Sequence, residues 1–174
     1  LGVEAHDGLR GLVGPHHHTA GLARAVVAQL VALHGPADVS LAVLAAPQHA
    51  AGWDWCAWVP HAHHRAHGLL LAGDEAAASS LLPALTRPSS THDAVTVLVI
   101  DDPGGLAARR GSGRQLLRAG ADPRSRLLVL VLMSSDQPVP AACRHVVAVD
   151  HHGGLQTAVA AGEGRALHLP TAEA

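Results

Sequence analysis

Two short stretches carry the residue types of nucleotide chemistry. Gly14-Pro15-His16-His17-His18-Thr19 lies between a strand-like and a helix-like segment. At such a junction free backbone N–H groups and the helix dipole favour an anion. Val95-Thr96-Val97-Leu98-Val99-Ile100-Asp101-Asp102 is an apolar run closed by two carboxylates, the form of the magnesium-side strand of a P-loop ATPase. Gly14, His18, Thr19 and Arg24 on the first stretch, with Asp101 and Asp102 on the second, are therefore the candidates for a weak nucleotide or anion site. ATP with magnesium is the cofactor such a site would take. A working loop of the form GxxxxGK[ST] needs a Lys on the phosphates and a hydroxyl on the metal. All 12 basic residues of this chain are Arg, and Pro15 removes a further N–H donor. We therefore expect no ATP hydrolysis and assign no catalytic residue. The bland alternative for Asp101 and Asp102 is capping of the turn Pro103-Gly104-Gly105.

Other chemistries find less support. His61, His63, His64 and His67 crowd the stretch after Pro60, and His63 and His67 stand four apart, so a helix there would set them in zinc-binding geometry. No HExxH pattern or sequence-near Cys completes that site. Exposed, solvated histidines are the expectation, and we assign no metal ligand. No GxSxG elbow surrounds any Ser, so a hydrolase triad is not expected. Gly111-Ser112-Gly113 reads as a flexible turn inside an Arg-rich, solvated stretch of Arg109, Arg110, Arg114 and Arg118. Cys56 and Cys143 form no CxxC pair and read as small buried residues of a reducing compartment.

The three tryptophans fall within six positions, at Trp53, Trp55 and Trp58. Trp55 and Trp58 would share one helix face before the stop at Pro60, with Trp53 apart. This stretch reads as core anchoring; if exposed, Trp53, Trp55, Trp58 and His61 would form a partner surface.

The elements that must position these residues are legible as alternation. Residues 11–15 read as a strand end and turn. Residues 19–34 read as a helix, with Thr19 as N-cap, Leu22, Val26, Leu30 and Leu33 on one face, and Gly35-Pro36 as the stop. Strands are expected over residues 39–46, 95–100, 127–133 and 145–149, with one more at 165–169; residues 73–85 read as a second helix and 87–92 as a loop. Short apolar strands alternating with helices imply an α/β layered domain with a mostly parallel sheet. Ligands of such sheets sit at the carboxyl ends of the strands, where Asp101, Asp102, Ser134, Ser135 and Asp136 fall.

Composition narrows the function classes. Hydrophobic residues are 48% and charged residues 15% of the 174, enough for a core and too apolar for disorder. The net charge of −2 offers no broad basic surface, so direct nucleic-acid contact is not expected. No apolar run approaches the roughly 18 residues of a membrane-spanning helix. Nothing at the amino end reads as a signal peptide, and a cytoplasmic setting is expected. We expect residues 1–174 to be a single domain from a larger multidomain protein, because the chain opens at Leu1.

The order Gly14-Pro15, Gly21-Leu22-Ala23-Arg24-Ala25, Leu33-His34-Gly35-Pro36 and Trp55-Cys56-Ala57-Trp58-Val59-Pro60-His61 resembles a known pattern. So does Pro140-Ala141-Ala142-Cys143 followed by a strand and Asp150. It is the segment preceding the first ATPase domain in actinobacterial FtsK/SpoIIIE-type translocases of the EccC type, from type VII secretion. The resemblance implies a membrane-proximal domain with a degenerate P-loop, RecA-like α/β fold, on the cytoplasmic side of the membrane. Its partners would be other domains of the parent translocase, secretion-complex subunits or neighbouring copies. The histidine enrichment departs from that pattern. A nucleotide-binding regulatory domain and a histidine-rich metal-binding module are the alternative readings.

Overall fold

A computed structural model describes residues 9–86, 94–101, 111–122, 124–143 and 145–159. Its centre is a seven-stranded sheet of β1 (Leu9–Val13), β2 (Val39–Ala45), β5 (Leu71–Ala72), β6 (Val95–Asp101), β7 (Leu127–Met133), β8 (His145–Val149) and β9 (Leu155–Val159). The spatial order is β5-β2-β6-β7-β1-β8-β9. Every pairing is parallel except β8 with β9, which is antiparallel. A separate two-stranded hairpin joins β3 (His63–His64) to β4 (Gly68–Leu69). The expected mostly parallel α/β layered domain is thus the fold observed.

Strand composition explains the layering. β7 reads Leu-Leu-Val-Leu-Val-Leu-Met with every residue buried, as a central strand covered on both faces must be. Its odd-numbered residues join one core with Ala78, Leu81 and Leu85 of α3 (Glu75–Thr86) and Leu116 and Leu117 of α4 (Ser112–Ala121). Its even-numbered residues join a second core with Ala20, Ala23 and Val27 of α1 (His16–Leu33), and with Trp53 and Cys56. Period-two alternation therefore assigns each strand residue to one helical layer. In β6, Val97 and Val99 face α1, so Asp101 carries its side chain to that same layer.

The structure corrects several local expectations. The helix α1 starts at His16 and is flanked by Pro15, not Thr19; the Thr19 hydroxyl instead donates to the His16 carbonyl at 3.1 Å. Its buried face is Thr19, Ala20, Ala23 and Val27, whereas Leu33 is 70% exposed. Small residues let the helix approach the sheet closely, so the larger leucines and valines flank the contact. The Gly35 stop holds, with the Asp38 and Val39 amides donating to the Gly35 carbonyl.

Gly111 flanks the start of α4 and Ser112 opens it, so the expected flexible turn is an ordered helix start. The Ser112 amide and hydroxyl both donate to Glu75 Oε1 at 2.7 Å. Arg114 and Arg118 lie on the exposed side of α4, as a solvated face requires; Arg109 and Arg110 lie outside the described residues. Strand β9 had no counterpart in the sequence reading, and the expected loop 87–92 and strand 165–169 also lie outside the described residues. No described helix is long and apolar enough to cross a membrane.

Candidate functional site

The parallel strands end at one edge, and β7 separates the ends of β1 and β6. Two strand spacings, about 10 Å, therefore lie between the two ends. The chain leaving β1 turns at Gly14 and enters α1 at once, so His16 reaches over that gap. From the opposite side, β2 runs into a single helical turn, α2 (Pro47–Ala50), and a 3₁₀ helix, Ala51–Trp58. These elements bring His49 and Trp53 to the same carboxylate.

That carboxylate is Asp101, only 2% exposed. His16 Nε2 donates to its Oδ1 at 2.8 Å, and the indole Nε1–H of Trp53 donates to its Oδ2 at 2.8 Å. His49 Nδ1 lies 3.1 Å from Oδ1 and 3.4 Å from the Asp101 carbonyl oxygen. The His16 and His49 rings stack, with centroids 3.8 Å apart and planes 18° from parallel. The Asp101 carbonyl also accepts the Ala46 amide at 3.0 Å, which extends the β2–β6 ladder to the site. A buried carboxylate requires such donors, since leaving one unpaired costs several kcal/mol in practice.

The 3₁₀ helix explains the tryptophans. Residues three apart eclipse in this geometry, so Trp53 and Cys56 share the buried face and Trp55 and Trp58 share another. Trp53 is 1% exposed and Trp58 is 89% exposed. Trp55 packs half-buried against the α1-side core. The core-anchoring reading placed Trp58 inside and set Trp53 apart; the structure reverses them. His61 is also buried, its Nε2 donating to the His34 carbonyl at 2.8 Å, so neither it nor Trp53 belongs to an exposed partner surface.

The remaining candidates do not gather into a phosphate cradle. The Gly14 amide donates to the Met133 carbonyl at 3.0 Å. Gly14 itself is required there, because its φ is +150° and a Cβ would run into the Val149 carbonyl oxygen. The His18 and Thr19 amides are taken by the Pro15 carbonyl. The His18 side chain turns to the β8–β9 connection, where Nε2 donates to the His151 carbonyl at 3.2 Å. Arg24 lies eight residues along α1, about 12 Å from its start, and directs Nη1 to the Gly52 carbonyl. Asp102 lies outside the described residues. His63 and His67 flank a hairpin turn rather than riding one helix face; His63 Nε2 donates to the Ala57 carbonyl, and the His67 ring tilts against His64.

Burial pushes the thiols of Cys56 and Cys143 up to about 12, which leaves both as inert core residues. Asp136 and Asp150 are held below the usual carboxylate range. For Asp136 the cause is the Ser134 hydroxyl and then its own amide. For Asp150 it is the amides of Gly154 and His152, which close the β8–β9 turn.

No family model matches the chain. Over 44 residues, a quarter of the chain, it is 41% identical to the ESX secretion system protein EccC of Thermomonospora curvata. Over 44 residues it is 39% identical to the ESX-4 secretion system protein EccC4 of Mycobacterium tuberculosis. The chain is EccC-like. The aligned stretch spans 3% of the first relative's length and 4% of the second's. In fold it is similar to the cytoplasmic domain of the T. curvata type VII secretion ATPase EccC. That match has a TM-score of 0.59 at 17% identity and covers 77% of this chain and 17% of that one. It is similar again to T. curvata EccC ATPases 2 and 3 in complex with a signal sequence peptide, with a TM-score of 0.59 at 16% identity, covering 84% of this chain and 31% of that one. This fold places buried Trp53 and Asp101, with the more open His16 and His49 beside them, at the strand edge where α/β proteins usually receive ligands.

Sequence reasoning found Asp101 and Trp53 but not their union, and it overlooked both His16 and His49 as partners of the carboxylate. One signal was available for the first two: strand parity puts Asp101 on the α1 side with Val97 and Val99. Nothing in Pro47-Gln48-His49 marks that histidine before the β2–α2 turn is known.

Proposed function

We propose that this EccC-like chain is a non-catalytic, ATPase-like domain of a type VII secretion translocase, coupling the membrane anchor to the ATP-driven motor domains. The observation that supports this reading is the closure of Asp101. Its two carboxylate oxygens receive His16, His49 and Trp53, and it faces a loop without Lys whose Gly14 amide is already bonded. A magnesium-side carboxylate has to address the metal and its water; this one is turned into protein contacts. On this reading residues 1–174 form one domain of a longer chain on the cytoplasmic side of the membrane. Its partners are the neighbouring domains, secretion-complex subunits or other copies. Exposed Trp58 is the side chain best placed to meet one of them.

The test is calorimetry of the metal-free chain with ATP and magnesium, paired with a phosphate-release assay. The expected result is no heat up to millimolar nucleotide and no turnover. Hydrolysis abolished by Asp101→Asn would overturn the reading. Micromolar binding without turnover would replace it with a nucleotide-sensing regulatory domain.

A further inference from the structure

His16, His49 and Asp101 come from three separate elements, and each brings one metal-ligating atom into the same small cluster. His16 Nε2, His49 Nδ1 and one Asp101 carboxylate oxygen all lie within 4.8 Å of one another. We propose that these three side chains bind a divalent first-row transition cation, with zinc as the representative ion. The proposal needs no nucleotide and does not rest on the translocase reading.

Two imidazoles and one carboxylate are the donor set of open, three-ligand zinc and iron sites. They are a poor set for magnesium, which prefers an octahedron of oxygens and retains its waters. The spacing also fits. Ligand bonds of about 2.0–2.2 Å in a tetrahedron put neighbouring donor atoms roughly 3.3–3.5 Å apart. The two His–Asp separations here are 2.8 and 3.1 Å. An ion would replace these contacts by parting the donors by about half an ångström and turning the stacked imidazoles so that both ring nitrogens face it. The movable partners are on the open side, His16 being 44% and His49 26% exposed in their side chains. Asp101 is the fixed one, because Trp53 Nε1–H holds Oδ2 and leaves Oδ1 to face the histidines. That is the role of the outer hydrogen bonds that orient metal-ligating carboxylates. The exposed flank of His16 leaves room for water as the fourth ligand.

Other histidines provide the necessary controls. His17, His18, His63 and His67 are solvent-accessible and could collect metal adventitiously, but none of them belongs to the His16–His49–Asp101 group.

The test is titration of Zn²⁺ into the untagged, metal-free chain by calorimetry, with Co²⁺ substitution read by its visible ligand-field bands. The expected result is one equivalent bound at micromolar affinity or tighter, with tetrahedral cobalt bands. His49→Ala should weaken binding at least tenfold and abolish the bands, and His16→Ala should do the same should His49→Ala fail to fold. Trp53→Phe should weaken it about 10–100-fold by releasing the carboxylate. The double variant His63→Ala/His67→Ala and the double variant His17→Ala/His18→Ala should each leave affinity within twofold. No binding at excess zinc would overturn the proposal. So would binding that survives both His49→Ala and His16→Ala, loss in either control variant, or equal affinity for Mg²⁺. None of these failures bears on ATP, which is absent throughout.

Discussion

Trp53→Phe isolates the contact on which the strand edge depends. The substitution removes the indole N–H that donates to Asp101 Oδ2 at 2.8 Å and leaves that oxygen in a site 2% exposed. Stranding a buried acceptor of this kind costs about 1–3 kcal/mol. Shrinking indole to phenyl also empties about 40 Å³, worth roughly 1 kcal/mol at about 24 cal/mol per Å³. The expected loss is therefore on the order of 2–4 kcal/mol. With a urea dependence of about 2 kcal/mol/M, the midpoint should fall by about 1–2 M. Unfolding should be followed by far-UV circular dichroism, since the fluorophore itself changes. Trp58→Phe, at a side chain 89% exposed, is the control and should stay within about 0.5 kcal/mol of the parent. The hydrogen-bond share is separated from the cavity share by repeating Trp53→Phe in an Asp101→Leu background. There no carboxylate remains to be stranded and the indole N–H has already lost its acceptor, so the cost should drop to about 1 kcal/mol or less and give a coupling of at least about 1–3 kcal/mol. Equal costs in both backgrounds would refute the reasoning, because the packing of the ring alone would then account for the loss.

Glycine substitutions should split by position. Gly14→Ala drives a Cβ into the Val149 carbonyl at a φ of +150° and should destabilise by more than about 3 kcal/mol or prevent folding. Gly21→Ala, inside α1 with nothing within 4 Å of the added carbon, should stabilise by about 0.5–1 kcal/mol; paired thermal melts test both. Cys56 and Cys143, pushed up to about 12 by burial, should resist iodoacetamide at pH 8 in the folded chain and react once urea unfolds it. Asp150 has a folded pKa depressed below 3.8 by the Gly154 and His152 amides. Its contribution is therefore complete above the unfolded value and is lost as pH falls through the lower folded one. The protection of the His152 and Gly154 amides relative to their intrinsic exchange rates should fall across that acid window, and Asp150→Ala should show the low protection already at neutral pH.

The layered fold was legible because each central strand is an uninterrupted apolar run, as in β7, and few structures but a doubly covered parallel strand can bury both faces. The start of α1 was not, because Pro15 ends the strand region and fixes a helix-compatible φ, whereas Thr19 only looks like a cap. The Trp segment misled for a related reason. Helical spacing pairs Trp55 with Trp58, and the 3₁₀ geometry keeps that pairing, but their face leaves Trp58 in solvent and Trp55 only half-buried while Trp53 and Cys56 turn in. Which of two faces meets the sheet is set by the entry from β2, a tertiary fact. The candidate site divides the same way. Asp101 is on the α1 side by strand parity alone, whereas its meeting with His16 and His49 depends on β7 lying between β6 and β1. Strand order is invisible in a local pattern.

That strand order also decides between the chemistries open to Asp101. For the carboxylate to serve a magnesium–nucleotide complex, the donors from His16, His49 and Trp53 must first be withdrawn from it. Even at about 1–2 kcal/mol for each, their loss comes to roughly 3–6 kcal/mol. That is about 10²–10⁴ in affinity, set against a loop that has no Lys to recover it. A transition cation meets a different balance. It leaves the Trp53 contact intact and exchanges the His16 hydrogen bond and the His49 contact for coordination by the same two rings, so the groups that resist nucleotide are the ones a metal would take. The two readings therefore predict opposite responses from one variant. Releasing the carboxylate through Trp53→Phe should weaken zinc binding and leave nucleotide binding absent. Were the site a masked nucleotide pocket, ATP affinity would rise in that variant and zinc affinity would not change.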